Sequence, residues 1–123
     1  MTSISLEFFP PKTAETEAKL WDVINELAVI RPDFVSITYG AGGSTRDRTH
    51  KCVKHLVTKT DLKPAAHLTC VAASKSEVDE VIEDYAVAGV KHIVALRGDM
   101  PDMEAFSPHP DGYRGSVELV DAL

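Results

Sequence analysis

In the stretch Asp33-Phe34-Val35-Ser36-Ile37-Thr38-Tyr39 (residues 33–39), apolar and polar side chains alternate from Val35 onward. Successive side chains of a β-strand point to opposite faces of a sheet, so this alternation predicts a strand with one apolar and one polar face. Ser36 and Thr38 share the polar face. The apolar face suits a layer of covering helices, and the stretch therefore predicts a sheet with helices packed on one side only.

The same strand-and-helix unit recurs on both sides of this stretch. Further strands are predicted at residues 3–9, 65–71 and 91–97, and successive strands start roughly 26–32 residues apart, the size of a β-α-β unit. The first helix is predicted over residues 14–30. A long loop rich in Pro, Gly and Asp, residues 98–115, precedes a last helical pattern. Four such units in succession predict parallel strands in the order 1-2-3-4.

Capping residues and apolar stripes mark the helices. The N-terminal signals are Thr13 for the first helix, Ser44 with Asp47 for the second, and Ser74 with Glu77 for the third. Gly89 is expected just beyond the end of the third helix. The apolar faces comprise Leu20, Val23, Ile24, Leu27 and Ala28, then Val53, Leu56 and Val57, then Val78, Val81, Ile82, Tyr85 and Ala86.

The polar face of the strands decides between a barrel and an open sheet. In a doubly wound sheet both faces are covered and the strands are continuously apolar. Here Glu7, Thr38 and His67 lie on a polar face, and Arg97 with Asp99 is expected to continue it in the fourth strand. A (β/α)₈ TIM barrel, with helices outside and its site at the carboxyl ends of the strands, predicts this pattern. The polar face disfavours the alternative, a four-stranded flavodoxin-like domain.

Length restricts how much of a barrel is present. A whole barrel needs about 250 residues, whereas this chain has 123. The last helical pattern also lacks a C-terminal signal. We therefore expect residues 1–123 to form one half-barrel, the first four β-α units, whose exposed strand edges favour self-association.

Composition excludes several classes of protein. The formal net charge is −6 with both signs interspersed, which disfavours a nucleic-acid or anionic-membrane surface. No apolar stretch approaches the roughly 20 residues of a membrane span, and no signal peptide is expected at the N-terminus. Two cysteines are too few for a disulfide framework, so the expected compartment is the reducing cytoplasm.

Four polar residues on separate strands are the candidates for chemistry. Glu7, Thr38, His67 and Asp99 are expected to converge where the strands end. Glu7 lies in an otherwise apolar strand. It is either a buried carboxyl with a raised pKa, suited to a general acid, or a strand-end carboxylate that accepts backbone hydrogen bonds. For Asp99 the alternative is an ordinary turn residue that follows a glycine.

Other signals are weaker. The run Gly40-Ala41-Gly42-Gly43-Ser44 precedes a helix N-terminus and could hold an anion, although a plain turn is the better interpretation. His50, Cys52 and His55 spread around their helix, and His67 and Cys70 point to opposite faces, so no bound metal is expected. The loop over 98–115 is long enough to act as a lid.

Together these motifs resemble the methylenetetrahydrofolate reductase family along nearly the whole chain. The segments that carry the resemblance are Ser5-Leu6-Glu7-Phe8-Phe9-Pro10-Pro11-Lys12, Phe34-Val35-Ser36-Ile37-Thr38-Tyr39-Gly40-Ala41-Gly42-Gly43-Ser44, Arg46-Asp47-Arg48-Thr49, His67-Leu68-Thr69-Cys70 and His92-Ile93-Val94-Ala95-Leu96-Arg97-Gly98-Asp99. They occur in the order and spacing of that family, and the combination is specific although none would suffice alone.

The resemblance implies an FAD-containing TIM barrel in one-carbon metabolism and methionine biosynthesis. Such an enzyme uses NADH or NADPH to reduce 5,10-methylenetetrahydrofolate to 5-methyltetrahydrofolate through the flavin. Glu7 matches the general acid of the family, and Asp99 matches the catalytic aspartate near the flavin and the pterin. The matched cofactor-binding positions are Thr38, His67, Arg97, Gly98, Asp99 and Tyr113.

The resemblance covers only the first half of the family's barrel. We therefore expect a homo-oligomer or a complementing second half as partner, besides the folate substrate, and no nucleic acid or membrane. The alternative is a catalytically incompetent half-barrel, either a fragment or a self-associating module. The sequence does not distinguish NADH from NADPH.

Overall fold

The computed structural model describes residues 2–39 and 46–123. The strands are β1 (Ser5–Phe8), β2 (Phe34–Ile37), β3 (Pro64–Thr69) and β4 (His92–Leu96). The α-helices are α1 (Ala14–Leu27), α2 (Arg46–Lys59), α3 (Lys75–Ala88) and α4 (Ser116–Ala122). Short 3₁₀ helices span Ala28–Ile30 and Pro101–Met103.

The four strands form one parallel sheet in the order β1-β2-β3-β4. Ser5 pairs with Phe34, Val35 with Pro64, and Ala65 with His92. Each strand is followed by a helix, as a β-α barrel requires. The predicted fold, four β-α units that make half of a barrel, is confirmed.

One face of the sheet and the inner faces of the helices make the core. Val35 and Ile37 of β2 and Ala66 and Leu68 of β3 are fully buried, and they alternate with the polar side chains of the other face. The helical residues in the same cluster are Ile24, Cys52, Val53, Leu56, Val78, Val81, Tyr85 and Leu119. The alternation in the sequence is thus the pattern of a sheet covered on one side.

Local capping chemistry sets two of the helix starts. Thr13 caps α1 in a capping box completed by Thr16, and Ser74 caps α3 in a box completed by Glu77. Gly89 ends α3 with a φ of 92°, the left-handed conformation that favours glycine. These predictions are confirmed. The predicted box of Ser44 with Asp47 and the predicted turn over 40–44 lie outside the described residues.

The fourth strand differs from the prediction. Ala66 pairs with Ile93 and Leu68 with Ala95, and Ile93 and Ala95 pack on the helical core. The side chains of β4 that share the face of His67 are His92, Val94 and Leu96, and Arg97 and Asp99 do not continue the polar face. The strand ends at Leu96, so the positions of Arg97 and Asp99 depend on the loop rather than on the pleat of the sheet.

The first helix is shorter and less buried than predicted. It ends at Leu27, and a 3₁₀ turn follows that ends at Arg31, which has a left-handed φ of 52°. Val23, which is predicted on the apolar face of this helix, is 43% exposed. The reason is that α1 follows an edge strand and packs mainly on one side, where Trp21 stacks on His55 of α2 with ring centroids 3.8 Å apart.

Candidate active site

Three polar side chains from neighbouring strands meet on the open face of the sheet. Glu7 of β1 lies opposite Ser36 of β2 in the strand register. The Ser36 hydroxyl donates a hydrogen bond to Oε2 of Glu7 at 3.2 Å, and Nε2 of His67 on β3 lies 3.3 Å from the same oxygen. The structure therefore brings together the two predicted residues Glu7 and His67. Ser36 joins this pair because the register of β1 and β2 places it opposite Glu7.

Glu7 and His67 differ in their exposure. The side chain of Glu7 is 60% exposed and that of His67 is 9% exposed. The expected burial of Glu7 is wrong for this chain, and its hydrogen bond comes from a side chain rather than the backbone. The reason for its exposure is the position of β1 at the edge of the sheet. Its role as a general acid stays a prediction. A carboxylate and an imidazole at this distance can share or transfer a proton.

Burial lowers the pKa of His67 below its ordinary value of 6.5, and the carboxylate of Glu7 opposes this shift. The pKa of His50 on α2 is lowered as well, first by burial and then by the nearby cations Arg46 and Lys54. A histidine with a depressed folded-state pKa contributes stability that is present above the unfolded-state value and is lost as the pH falls through the folded-state value.

We therefore expect the free energy of unfolding to decrease as the pH falls below about 6.5. Urea unfolding at pH 7.5 and pH 5.5, at constant ionic strength, measures this decrease. The double variant His50→Gln and His67→Gln should show a flatter dependence in this window, since glutamine does not titrate. The same pH dependence in the variant and the wild type would show that other groups are responsible.

Thr38 is fixed just beyond the end of β2, on the same face as Ser36. Its backbone N–H donates to the carbonyl oxygen of Phe8 at 3.0 Å, and its own carbonyl accepts from the hydroxyl of Thr49 on α2 at 2.7 Å. Thr38 is 9% exposed. Hydrogen bonds to β1 and to α2 thus fix the backbone of Thr38, the first residue after β2 and two residues beyond Ser36.

The residues after β4 have a different environment. The guanidinium of Arg97 lies over the ring of Phe106, 4.5 Å from its centroid, and its Nε donates to the carbonyl oxygen of Gly98 at 3.4 Å. Asp99 is exposed. Within residues 2–39 and 46–123, no hydrogen bond or ion pair joins Arg97 or Asp99 to Glu7 or His67. The predicted convergence of Asp99 with Glu7 is thus not made by direct contact in this chain.

Gly98 lies where the loop crosses the end of β3. Its φ is 84°, and a Cβ placed there would lie 2.5 Å from Cγ1 of Val71 and 2.9 Å from Cβ of Thr69. The hydroxyl of Thr69 is buried and has no hydrogen-bond partner among the described residues. Glycine is therefore required at this position for the backbone to approach β3, whatever else binds there.

Tyr113 lies against α3. Its hydroxyl donates to Oδ1 of Asp79 at 2.7 Å, and Nζ of Lys75 lies 5.3 Å from its ring centroid. The hydrogen bond to Asp79 and burial raise the pKa of Tyr113 to about 12. The same loop is tied to α3 by the backbone N–H of Lys75, which donates to the carbonyl of Asp111 at 2.8 Å. Tyr113 thus anchors the long loop in this chain, and its predicted contact with a flavin stays a prediction.

The sequence interpretation missed three residues behind the site. Tyr39, His50 and Tyr85 are linked by hydrogen bonds on the helical side of the sheet. They come from three separate elements, and no local spacing pattern connects them.

Across the described ranges, no three His, Cys, Asp or Glu side chains come together in a way that could hold a metal ion. None of the helices described is long and apolar enough to cross a membrane.

The strands are parallel and follow the β-α order, with helices on one face of the sheet and an acid–imidazole pair on the other. This chain therefore falls in the class of β-α barrel proteins, in which polar groups gather toward the carboxyl ends of the strands. A family model described as methylenetetrahydrofolate reductase matches residues 1–123. The chain belongs to the methylenetetrahydrofolate reductase family.

Curated relatives agree with this assignment. The chain is 48% identical over 121 residues to a 5,10-methylenetetrahydrofolate reductase of Pectobacterium carotovorum, covering 98% of this chain and 39% of the relative. Identity and coverage are the same for the enzyme of Salmonella typhimurium. A methylenetetrahydrofolate reductase (NADH) 1 of Zea mays is 32% identical over 123 residues, which are 99% of this chain and 21% of that protein. The chain thus spans about two fifths of the bacterial relatives.

Proposed function

We propose that residues 1–123 form the N-terminal half of a catalytic barrel that reduces 5,10-methylenetetrahydrofolate to 5-methyltetrahydrofolate. Membership of the family supports the reaction. The observation that carries the proposal is the contact of Glu7 with Ser36 and His67 on the open face of the sheet. The proposed setting is one-carbon metabolism in the cytoplasm, where the two free cysteines would stay reduced.

Glu7 is the proposed general acid. In its protonated form it would deliver a proton to the nitrogen released when the five-membered ring of the folate opens to the 5-iminium cation. The hydroxyl of Ser36 and the imidazole of His67 both lie within about 3.3 Å of one oxygen of Glu7, so they fix the direction in which the other oxygen can act. Asp99 would supply negative charge near the cation once the loop over 98–115 closes on the substrate.

The residues present fit a flavin in their chemistry. Thr38, His67 and Arg97 offer hydrogen-bond donors, which suit the carbonyl oxygens and ring nitrogens of an isoalloxazine. The hydroxyl of Thr69, which has no hydrogen-bond partner within residues 2–39 and 46–123, lies on the same face as His67. Gly98, Asp99 and Tyr113 complete the proposed FAD-binding set. Bound FAD would carry hydride between the nicotinamide of NADH or NADPH and the folate.

A non-catalytic, self-associating half-barrel is the second candidate. β1 and β4 each pair with one neighbour, so their outer edges leave backbone groups free to bind another strand. Phe9, just after β1, and Leu96, at the end of β4, are exposed. A second copy or a complementing second half would cover these edges and the open side of Glu7.

The isolated chain is expected to bind FAD weakly and to have little or no reductase activity. A flavin site needs many preorganised contacts, and a half-site must order itself on binding. The measurement is the flavin retained after gel filtration, together with an assay of methylenetetrahydrofolate reduction. Stoichiometric yellow protein with turnover near about 10 s⁻¹ would contradict this expectation.

Coexpression with the remaining part of the Salmonella typhimurium relative tests the proposed function itself. Copurification, retained flavin and reduction of the folate substrate are expected together. A copurified complex that binds flavin but fails to reduce the folate would show that the proposed function is wrong. The matched control is the same complex with Glu7→Gln, which should still retain flavin.

A further inference from the structure

A chain of buried hydrogen-bonding groups lies behind His67, on the helical side of the sheet. The hydroxyl of Tyr85 on α3 donates to the carbonyl oxygen of His67 at 3.4 Å. It also lies 3.2 Å from the hydroxyl of Tyr39, which in turn lies 2.7 Å from Nε2 of His50 on α2. Tyr85 is 1% exposed. Groups from α2, the end of β2 and α3 therefore converge on the backbone of the residue that contacts Glu7.

The direction of these hydrogen bonds follows from the carbonyl oxygen of His67, which can only accept a hydrogen bond. A carbonyl oxygen has no proton, so Tyr85 uses its single hydroxyl proton on His67. The oxygen of Tyr85 then accepts from Tyr39, and the oxygen of Tyr39 accepts from His50. His50 must therefore carry a hydrogen on Nε2.

We propose that Tyr85 is a positioning residue for His67, and that Tyr39 and His50 orient the Tyr85 hydroxyl for this role. The Tyr85 hydroxyl of α3 holds the backbone carbonyl of His67 on the helical face of the sheet. The imidazole of His67 lies on the opposite face, 3.3 Å from Glu7. Because Glu7 is mostly exposed, the geometry of the pair is set from the side of His67. This role for Tyr85 rests on the proposed function, since positioning matters only if Glu7 and His67 serve the reductase site.

The tautomer of His50 tests the proposal without any substitution. Long-range ¹H–¹⁵N NMR spectra of the wild-type chain above pH 7 are expected to show the imidazole hydrogen of His50 on Nε2. Hydrogen on Nδ1 alone would reverse the hydrogen bonds, remove the proton of Tyr85 from His67 and overturn the proposal. Neither flavin nor folate enters this measurement, so its result is independent of whether the proposed function holds.

A second test compares Tyr85→Phe with Ser74→Ala. Tyr85→Phe removes the hydroxyl and keeps the ring. Ser74→Ala weakens the N-cap of the same helix and leaves the hydrogen-bonded chain intact. The NMR titration midpoint of the His67 ring should move toward 6.5 by roughly half a pH unit or more in Tyr85→Phe, because a loosened strand exposes the imidazole. It should stay unchanged in Ser74→Ala.

An unchanged midpoint in Tyr85→Phe, or an equal shift in Ser74→Ala, would overturn the positioning role. Tyr39→Phe provides the same readout if Tyr85→Phe does not fold, because it removes the hydroxyl that orients Tyr85. A shift in Tyr39→Phe that is absent in Ser74→Ala supports the proposal.

Discussion

Replacing Glu7 by Gln in a complete barrel that carries this half should lower folate reduction at least about 10²-fold, the loss typical of a missing general acid. Gln keeps the shape of Glu and can still bond to Ser36 and His67, but it has no carboxyl proton to donate. Reduction of the flavin by the nicotinamide needs no proton delivered to the folate, so that half-reaction should keep its rate. Stopped-flow measurement of the two half-reactions separates these effects.

Ser36→Ala is the matched control for Glu7→Gln. It removes the hydroxyl that donates to Oε2 of Glu7 at 3.2 Å, and the acid itself stays. Its effect on folate reduction should therefore be smaller than that of Glu7→Gln. An equal loss in both half-reactions of Glu7→Gln would mean that Glu7 holds the strands together and does not move a proton.

Gly98→Ala should strongly destabilise the fold through the loop after β4. An L-residue at the observed φ of 84° costs about 1–2 kcal/mol. The added methyl group would also lie 2.5 Å from Val71 and 2.9 Å from Thr69, and overpacking of this kind typically costs about 1–3 kcal/mol. Urea unfolding followed by circular dichroism should therefore show a loss of about 2–5 kcal/mol.

Gly115→Ala serves as the control in the same loop. Its backbone is extended, and an added Cβ would meet no atom within 4 Å, so stability should hardly change. Both variants are measured without flavin. If Gly98→Ala is no more destabilising than Gly115→Ala, the close approach of the loop to β3 is wrong, and the glycine is needed for a bound ligand instead.

Local rules of chain geometry made much of the fold predictable from the sequence. Thr13, Ser74 and Gly89 act through atoms within a few residues of themselves, so their roles do not depend on the rest of the fold. The strand order was predictable because one unit repeats four times. In β4, by contrast, Ile93, Val94, Ala95 and Leu96 are all apolar, so the phase of the strand is set by pairing with β3.

The candidate site was predictable only in part. Glu7 and His67 could be predicted to lie together because both lie on the polar face of the sheet, on either side of β2. The predicted strand order already placed β1 at the edge of the sheet, but the apolar residues around Glu7 suggested a buried carboxyl, and its exposure was not predicted. Asp99 lies in the loop after β4, and the course of this loop is set by Gly98 and by the contact of Tyr113 with Asp79 rather than by the strand before it. Contacts between distant elements therefore limited the prediction.

The sequential strand order has a consequence for biosynthesis. Each strand after β1 pairs with the strand just before it in the chain, roughly 30 residues upstream. The sheet can therefore grow one strand at a time while the ribosome adds about 5–20 residues per second. This half of a barrel is thus suited to acquire its structure during translation, before any residue beyond Leu123 of a longer chain would leave the exit tunnel.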